Sequence, residues 1–142
     1  MRRPDLRPAA AVLLALSACG CPGDGSQIDE MMNVPPQITP TLRSIQAQVF
    51  GAICTDCHVP GGPGPFPLHS EDASFDNLVG VPSVEVPLLR VAPGDSENSY
   101  LVHKIQGRPE IAGERMPPPP QPVLTQTQID AIVQWIEMGA PR

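Results

Sequence analysis

The sequence predicts a small all-α domain of three to five short helices joined by Pro/Gly-rich loops. Three observations carry this. Apolar residues recur every three to four positions in two stretches, one before the middle of the chain and one at its end. Proline makes up 20 of 142 residues, roughly three times the ~5% of average usage, so long stretches can be neither helix nor central strand. Aromatic residues are only 4%, which leaves a domain of about 100 residues short of large core side chains. A large, flat, apolar body held among the helices would supply the missing bulk.

The elements follow in chain order. Arg2, Arg3 and Arg7 form a basic start, and Ala9 to Ala18 is an apolar run too short to cross a bilayer at about 20 residues per span. It ends in Leu16-Ser17-Ala18-Cys19. This pattern resembles the bacterial lipoprotein signal, which implies that residues 1–18 are removed and Cys19 is lipidated. Residues 19–40 (Gly, Asp, Ser, Asn, Pro and a Met31-Met32 pair) show no sustained period and read as a flexible tether. The acyl chains of such a lipoprotein are sufficient for stable anchoring.

The domain is expected over 41–142. Leu42, Ile45, Val49 and Ile53 make one apolar face of a helix that starts at Pro40-Thr41 and runs into Cys54. Pro60 to Pro65, with three glycines among them, stops it in a stiff loop. A second helix is predicted from Glu71 to Val79, capped by Ser70 and stopped by Gly80. A third is predicted over Ser96 to Gln106, capped by Asp95 or Ser96, burying Tyr100, Leu101 and Ile105 and ending at Gly107. The last helix has the clearest signals. Thr125 and Gln128 form a capping box, Leu124 and Ile129 a hydrophobic staple, and Ile129, Ile132, Val133 and Ile136 a buried stripe with Trp135 beside it. Gly139 and Pro141 end it.

Cys54-Thr55-Asp56-Cys57-His58 carries the chemistry. Two thiols three residues apart on a helical turn can each add to one vinyl group of a haem, and the adjoining histidine then faces the iron. For this composition roughly 0.002 matches to that pattern are expected by chance. A redox disulfide would want a βαβ context, and zinc a second pair of ligands. Here a helix precedes the motif, His69 and His103 stand alone, and Cys19 and Cys21 lie across the tether. One covalent haem c is therefore expected, with Cys54, Cys57 and His58 holding it.

Met116 is the expected sixth ligand, in the run Arg115-Met116-Pro117-Pro118. A thioether is a soft neutral ligand that raises the potential, and the prolines stiffen the loop that presents it. Met31 and Met32 lie in the tether, and Met138 in the last turn of a helix. His103 falls off the apolar face set by Leu101 and Ile105, leaving it and His69 as lesser alternatives. A backbone carbonyl between Val59 and Pro65 is expected to accept the second ring N–H of His58. Arg90 or Arg115 is expected at a haem propionate, and Tyr100 to pack at the cofactor.

The stretch from Thr41 to Arg142 resembles a monohaem cytochrome c domain of the class I type. It is most similar to bacterial variants with a methionine–proline loop, a Leu-Thr capping turn and a terminal helix ending Gly-Ala-Pro. The matching segments are Cys54 to His58, Pro93-Gly94-Asp95 with Ser99-Tyr100-Leu101, Arg115-Met116-Pro117, and Leu124 through Pro141. The resemblance implies that the first and last helices cross near the haem and that Met116 is the distal ligand. The middle, Pro60 to Val91, is longer and richer in proline than in compact members.

Function classes narrow accordingly. Net charge is -6, and a chain cut before Cys19 would carry about -8, so charge gives no reason to bind nucleic acid or an anionic membrane face. The membrane is reached by the lipid anchor alone. No second catalytic constellation is visible, which points to a single-electron carrier rather than an enzyme. It is expected to be a monomer with redox proteins as donor and acceptor, in the cell envelope, facing the periplasm from the outer membrane. The alternatives are a sensor or peroxidase-like domain with an open sixth site, and a haem-bearing subunit of a larger complex.

Overall fold

Residues 37–142 are described by the computed structural model; the signal segment, Cys19, Cys21, Met31 and Met32 lie outside the described residues. Among the described residues there are four α-helices and no strand, so this part of the chain is helical and compatible with an all-α class. The helices are α1 (Leu42–Ile45), α2 (Glu71–Leu78), α3 (Tyr100–Gln106) and α4 (Gln126–Glu137).

The first helical stretch departs from its predicted course. Thr41 caps α1 by accepting the Ser44 N–H, but from Gln46 to Phe50 the turn widens into a π-helix, closed by Gly51 N–H donating to Gln46 O at 2.7 Å. The cause is the Gln46 side chain. It is buried, its Nε2 donates to Leu68 O at 2.9 Å and its Oε1 accepts from Ser74 Oγ at 2.6 Å. A polar group fixed on two neighbours holds the extra residue in the turn. The register then buries Phe50 beside Val49 and leaves the expected stripe member Ile53 only partly covered. The helix does not continue into the cysteine motif, where a separate 3-10 turn spans Cys54–Asp56. Ahead of Thr41, Ile38 packs on the core and Thr39 N–H donates to Ser44 Oγ at 3.0 Å, so the folded unit begins before residue 41.

Helix α2 matches its sequence signals, with Ser70 accepting the Ala73 N–H at 3.1 Å. Arg142 clasps this helix through Asp72, at 2.6 Å, and Asp76. The third helix starts later than its sequence predicted. Tyr100 and Leu101 N–H groups donate to the Leu89 and Arg90 carbonyls, while Asp95 accepts twice from Asn98. The loop thus takes the donors a longer helix would need, and residues 95–99 remain a turn. In α3, Tyr100, Val102 and Ile105 are buried, Leu101 is half-buried, and His103 is buried rather than turned away.

The proline-rich middle is organised by backbone pairing. Gly80 N–H donates to Val91 O, Arg90 N–H to Val81 O and Ser83 N–H to Leu88 O, with isolated bridges at Val79–Val91, Pro82–Leu89 and Leu89–Ser99. Helix α4 packs on α1 and α3, and α1 on α2. Its capping box is formed, worth about 1 kcal/mol, and Leu124 and Ile129 are both buried. Trp135 lies in the centre of the core with no exposed surface, its Nε1 donating to Pro141 O at 2.8 Å, whereas Val133 is only partly buried.

Candidate functional site

The helices and loops enclose an open-sided cavity of about 290 Å³. Cys54, Cys57, His58, Arg90, Tyr100 and Met116, drawn from four separate segments, all line it. Most of the rest of its wall is apolar, with Phe50, Leu78 and Ile132 at its inner side. His69, His103, Arg115 and Met138 do not line it.

The cysteine–histidine wall is built locally. Cys57 and His58 N–H groups both donate to Cys54 O, at 3.2 and 2.8 Å, which folds the motif into one tight turn. Both cysteines are free, half-buried thiols. Burial pushes the Cys54 thiol up to about 12, with the Asp56 charge adding to it. A Cys-x-x-Cys pair that works as a redox nucleophile is shifted the other way, towards the thiolate. His58 Nδ1 lies 2.9 Å from Phe66 O. The acceptor is therefore Phe66, one residue beyond the segment the sequence suggested. With Nδ1–H donated there, Nε2 is the ring nitrogen left to act as a ligand. Gly64 makes this possible: a Cβ at that position would come within 2.8 Å of Nδ1 and 2.9 Å of Cys57 O.

The methionine wall depends on distant partners. Met116 N–H donates to Lys104 O at 2.8 Å. The Arg115 guanidinium donates to Pro117 O and, at 3.1 Å, to Gln121 O, so it braces the loop and is not turned to the cavity. Ala112 N–H donates to Tyr100 Oη at 2.9 Å.

Two cations line the cavity. Arg90 lies over the Phe66 ring at 3.9 Å and donates to Asn77 O at 2.7 Å; burial lowers its pKa from the ordinary arginine value. Lys104, which the sequence reading did not single out, is buried at 8% exposure. Its Nζ donates to Ala112 O at 2.8 Å and lies 3.4 Å from Glu85 Oε2. Burial, and then the neighbouring Glu85 carboxylate, raise the Tyr100 phenol. The available signal was the i, i+4 spacing of Tyr100 and Lys104, which sets both on one face of α3. Phe66 was also missed, an apolar residue between two prolines.

These residues suit a haem. Two thiols in one turn, an imidazole with one nitrogen already tied, a methionine lining the same apolar cavity and two cations on its wall are the donor set such a group needs. Among the described residues no cluster of three or more His, Cys, Asp or Glu could hold a metal ion by itself. Compared with protein-family models, with curated proteins and with solved structures, the chain finds no match.

Proposed function

We propose that this chain is a monohaem c-type cytochrome of the class I type that carries single electrons in the bacterial cell envelope. One observation carries the reading: Cys54, Cys57 and His58 share a single apolar cavity with Met116, 58 residues further along the chain. When bound, a haem would supply one-electron chemistry, and His58 and Met116 would both be taken up as its ligands, leaving the site suited to carrying electrons rather than binding a small substrate.

The chain's own residues do the rest. Cys54 and Cys57 would hold the group by thioether bonds, His58 by its free ring nitrogen and Met116 by its sulfur. Phe66 O fixes the tautomer of His58 and raises its basicity by accepting from Nδ1–H. Lys104 O accepts the Met116 N–H and Arg115 ties its own loop to Pro117 and Gln121, which together set the position of the methionine. The apolar walls exclude water, which keeps the surroundings from reorganising when charge changes. The same reading places a lipid on Cys19, residues 19–40 as a tether, and the domain facing the periplasm, with the outer membrane favoured. No helix among the described residues is long and apolar enough to cross a membrane.

The test is an optical spectrum and mass of protein made with a haem-attachment system. Covalent haem, sharp reduced bands, a weak methionine–iron band when oxidised and no response to carbon monoxide are expected. A clear shift under carbon monoxide would show a labile sixth position and move the reading to a sensor or peroxidase-like domain. A protein without covalent haem would overturn it altogether.

A further inference from the structure

Lys104 is not among the proposed ligands, yet it is a buried lysine lining the cavity. Its side chain is nine-tenths buried, and its ammonium can donate three hydrogen bonds. The structure gives it one short bond, to Ala112 O at 2.8 Å, and a long contact of 3.4 Å to Glu85, whose side chain is 41% exposed. A half-solvated carboxylate at that distance offsets a buried cation only in part. Beside it, Tyr100 Oη accepts from Ala112 N–H, which leaves the phenol proton to donate. Two donors of this kind, one of them charged, on the wall of an apolar cavity recognise a carboxylate. That Glu85 Oε2 lies 3.4 Å from Lys104 Nζ shows which kind of anion the place accepts.

The geometry points to a carboxylate-binding site formed by Lys104 Nζ and Tyr100 Oη, with Glu85 as an internal competitor and a haem propionate as the ligand that completes it. The inference rests on the haem reading above and assigns this role to Lys104, while Arg115 is spent on its own loop.

The experiment uses full-length protein carrying covalent haem, with Lys104→Met, Lys104→Arg and Glu85→Gln compared by midpoint potential. Removing the cation favours the oxidised form. Lys104→Met is therefore expected to lower the equilibrium constant for reduction at least tenfold, which is 59 mV for one electron. Lys104→Arg should restore it to within threefold of the parent. Glu85→Gln, which stays testable if Lys104→Met does not fold, should raise the potential. An unchanged potential in Lys104→Met, a fall in Lys104→Arg as large as in Lys104→Met, or no rise in Glu85→Gln would each overturn the site while leaving the haem reading intact. Parent protein that attaches no haem would overturn both.

Discussion

The two walls of the cavity are held by different means. The wall carrying His58 is fixed almost entirely by its own neighbours in sequence: Cys54 O takes two N–H groups, Gly64 N–H donates to Cys57 O, and Leu68 N–H donates to His58 O at 2.7 Å. The wall carrying Met116 is fixed to another element, by Lys104 O and Tyr100 Oη of α3, each twelve positions back from its partner, and by one arginine side chain. A wall of short local loops opens only when its own backbone does. A wall hung on a few longer-range contacts can open alone. The methionine side is therefore the one expected to yield first.

The largest effect separates the walls by chemistry. His58→Ala or Cys54→Ala together with Cys57→Ala should abolish stable haem incorporation, read as loss of the covalent mass. Met116→Ala should keep the haem attached and gain carbon monoxide binding. Equal loss of haem in all of them would erase the distinction.

Glycine substitutions probe the same contrast through packing. In Gly64→Ala the new methyl meets the imidazole and a backbone carbonyl, so a loss of about 1–3 kcal/mol is expected. Gly113→Ala, on the methionine side, meets nothing within 4 Å and carries only the strain of φ +65°, about 1 kcal/mol. Denaturant unfolding of both variants checks the order.

Arg115→Met removes the brace on the methionine loop and should cost about 1 kcal/mol. The sharper readout is hydrogen exchange: the Met116 amide should lose protection while those of Gly64 and Leu68 keep theirs. Uniform loss would mean the walls open together.

The smallest effect concerns Cys54 before haem is attached. Its pKa is raised to about 12, so the folded chain favours the protonated thiol. This contribution to stability is complete below the unfolded thiol value near 9 and is lost as pH rises from there towards 12. Alkylation of Cys54 in haem-free protein at pH 8 should be much slower than that of a free cysteine. Rapid alkylation would show that the wall is open.

Much of this was legible in the chain. The caps at Thr41, Ser70 and Thr125 depend on residues within three positions of each other, and so does the grouping of Cys54, Cys57 and His58. The same holds for the stops at Gly80 and Gly107, both of which adopt positive φ. Other features were hidden because their causes lie far away in sequence. The π-turn at Gln46 follows from bonds to Leu68 and Ser74. The late start of α3 follows from the carbonyls of Leu89 and Arg90. Lys104 shares a helix face with Tyr100, but a lysine within a helix reads as solvent-facing until the loops at Glu85 and Ala112 close over it.

By itself, the sequence determined the caps at Thr41, Ser70 and Thr125, the stop at Gly107 and the grouping of Cys54, Cys57 and His58 in one turn, because caps and motif spacing are short-range physics. Only the tertiary structure decided which carbonyl holds His58, which cations line the cavity and how Met116 comes to line the same cavity as the cysteine motif. Those depend on pairings between residues 8 to 58 positions apart, and no periodicity in a chain specifies which distant backbone groups will meet when it packs.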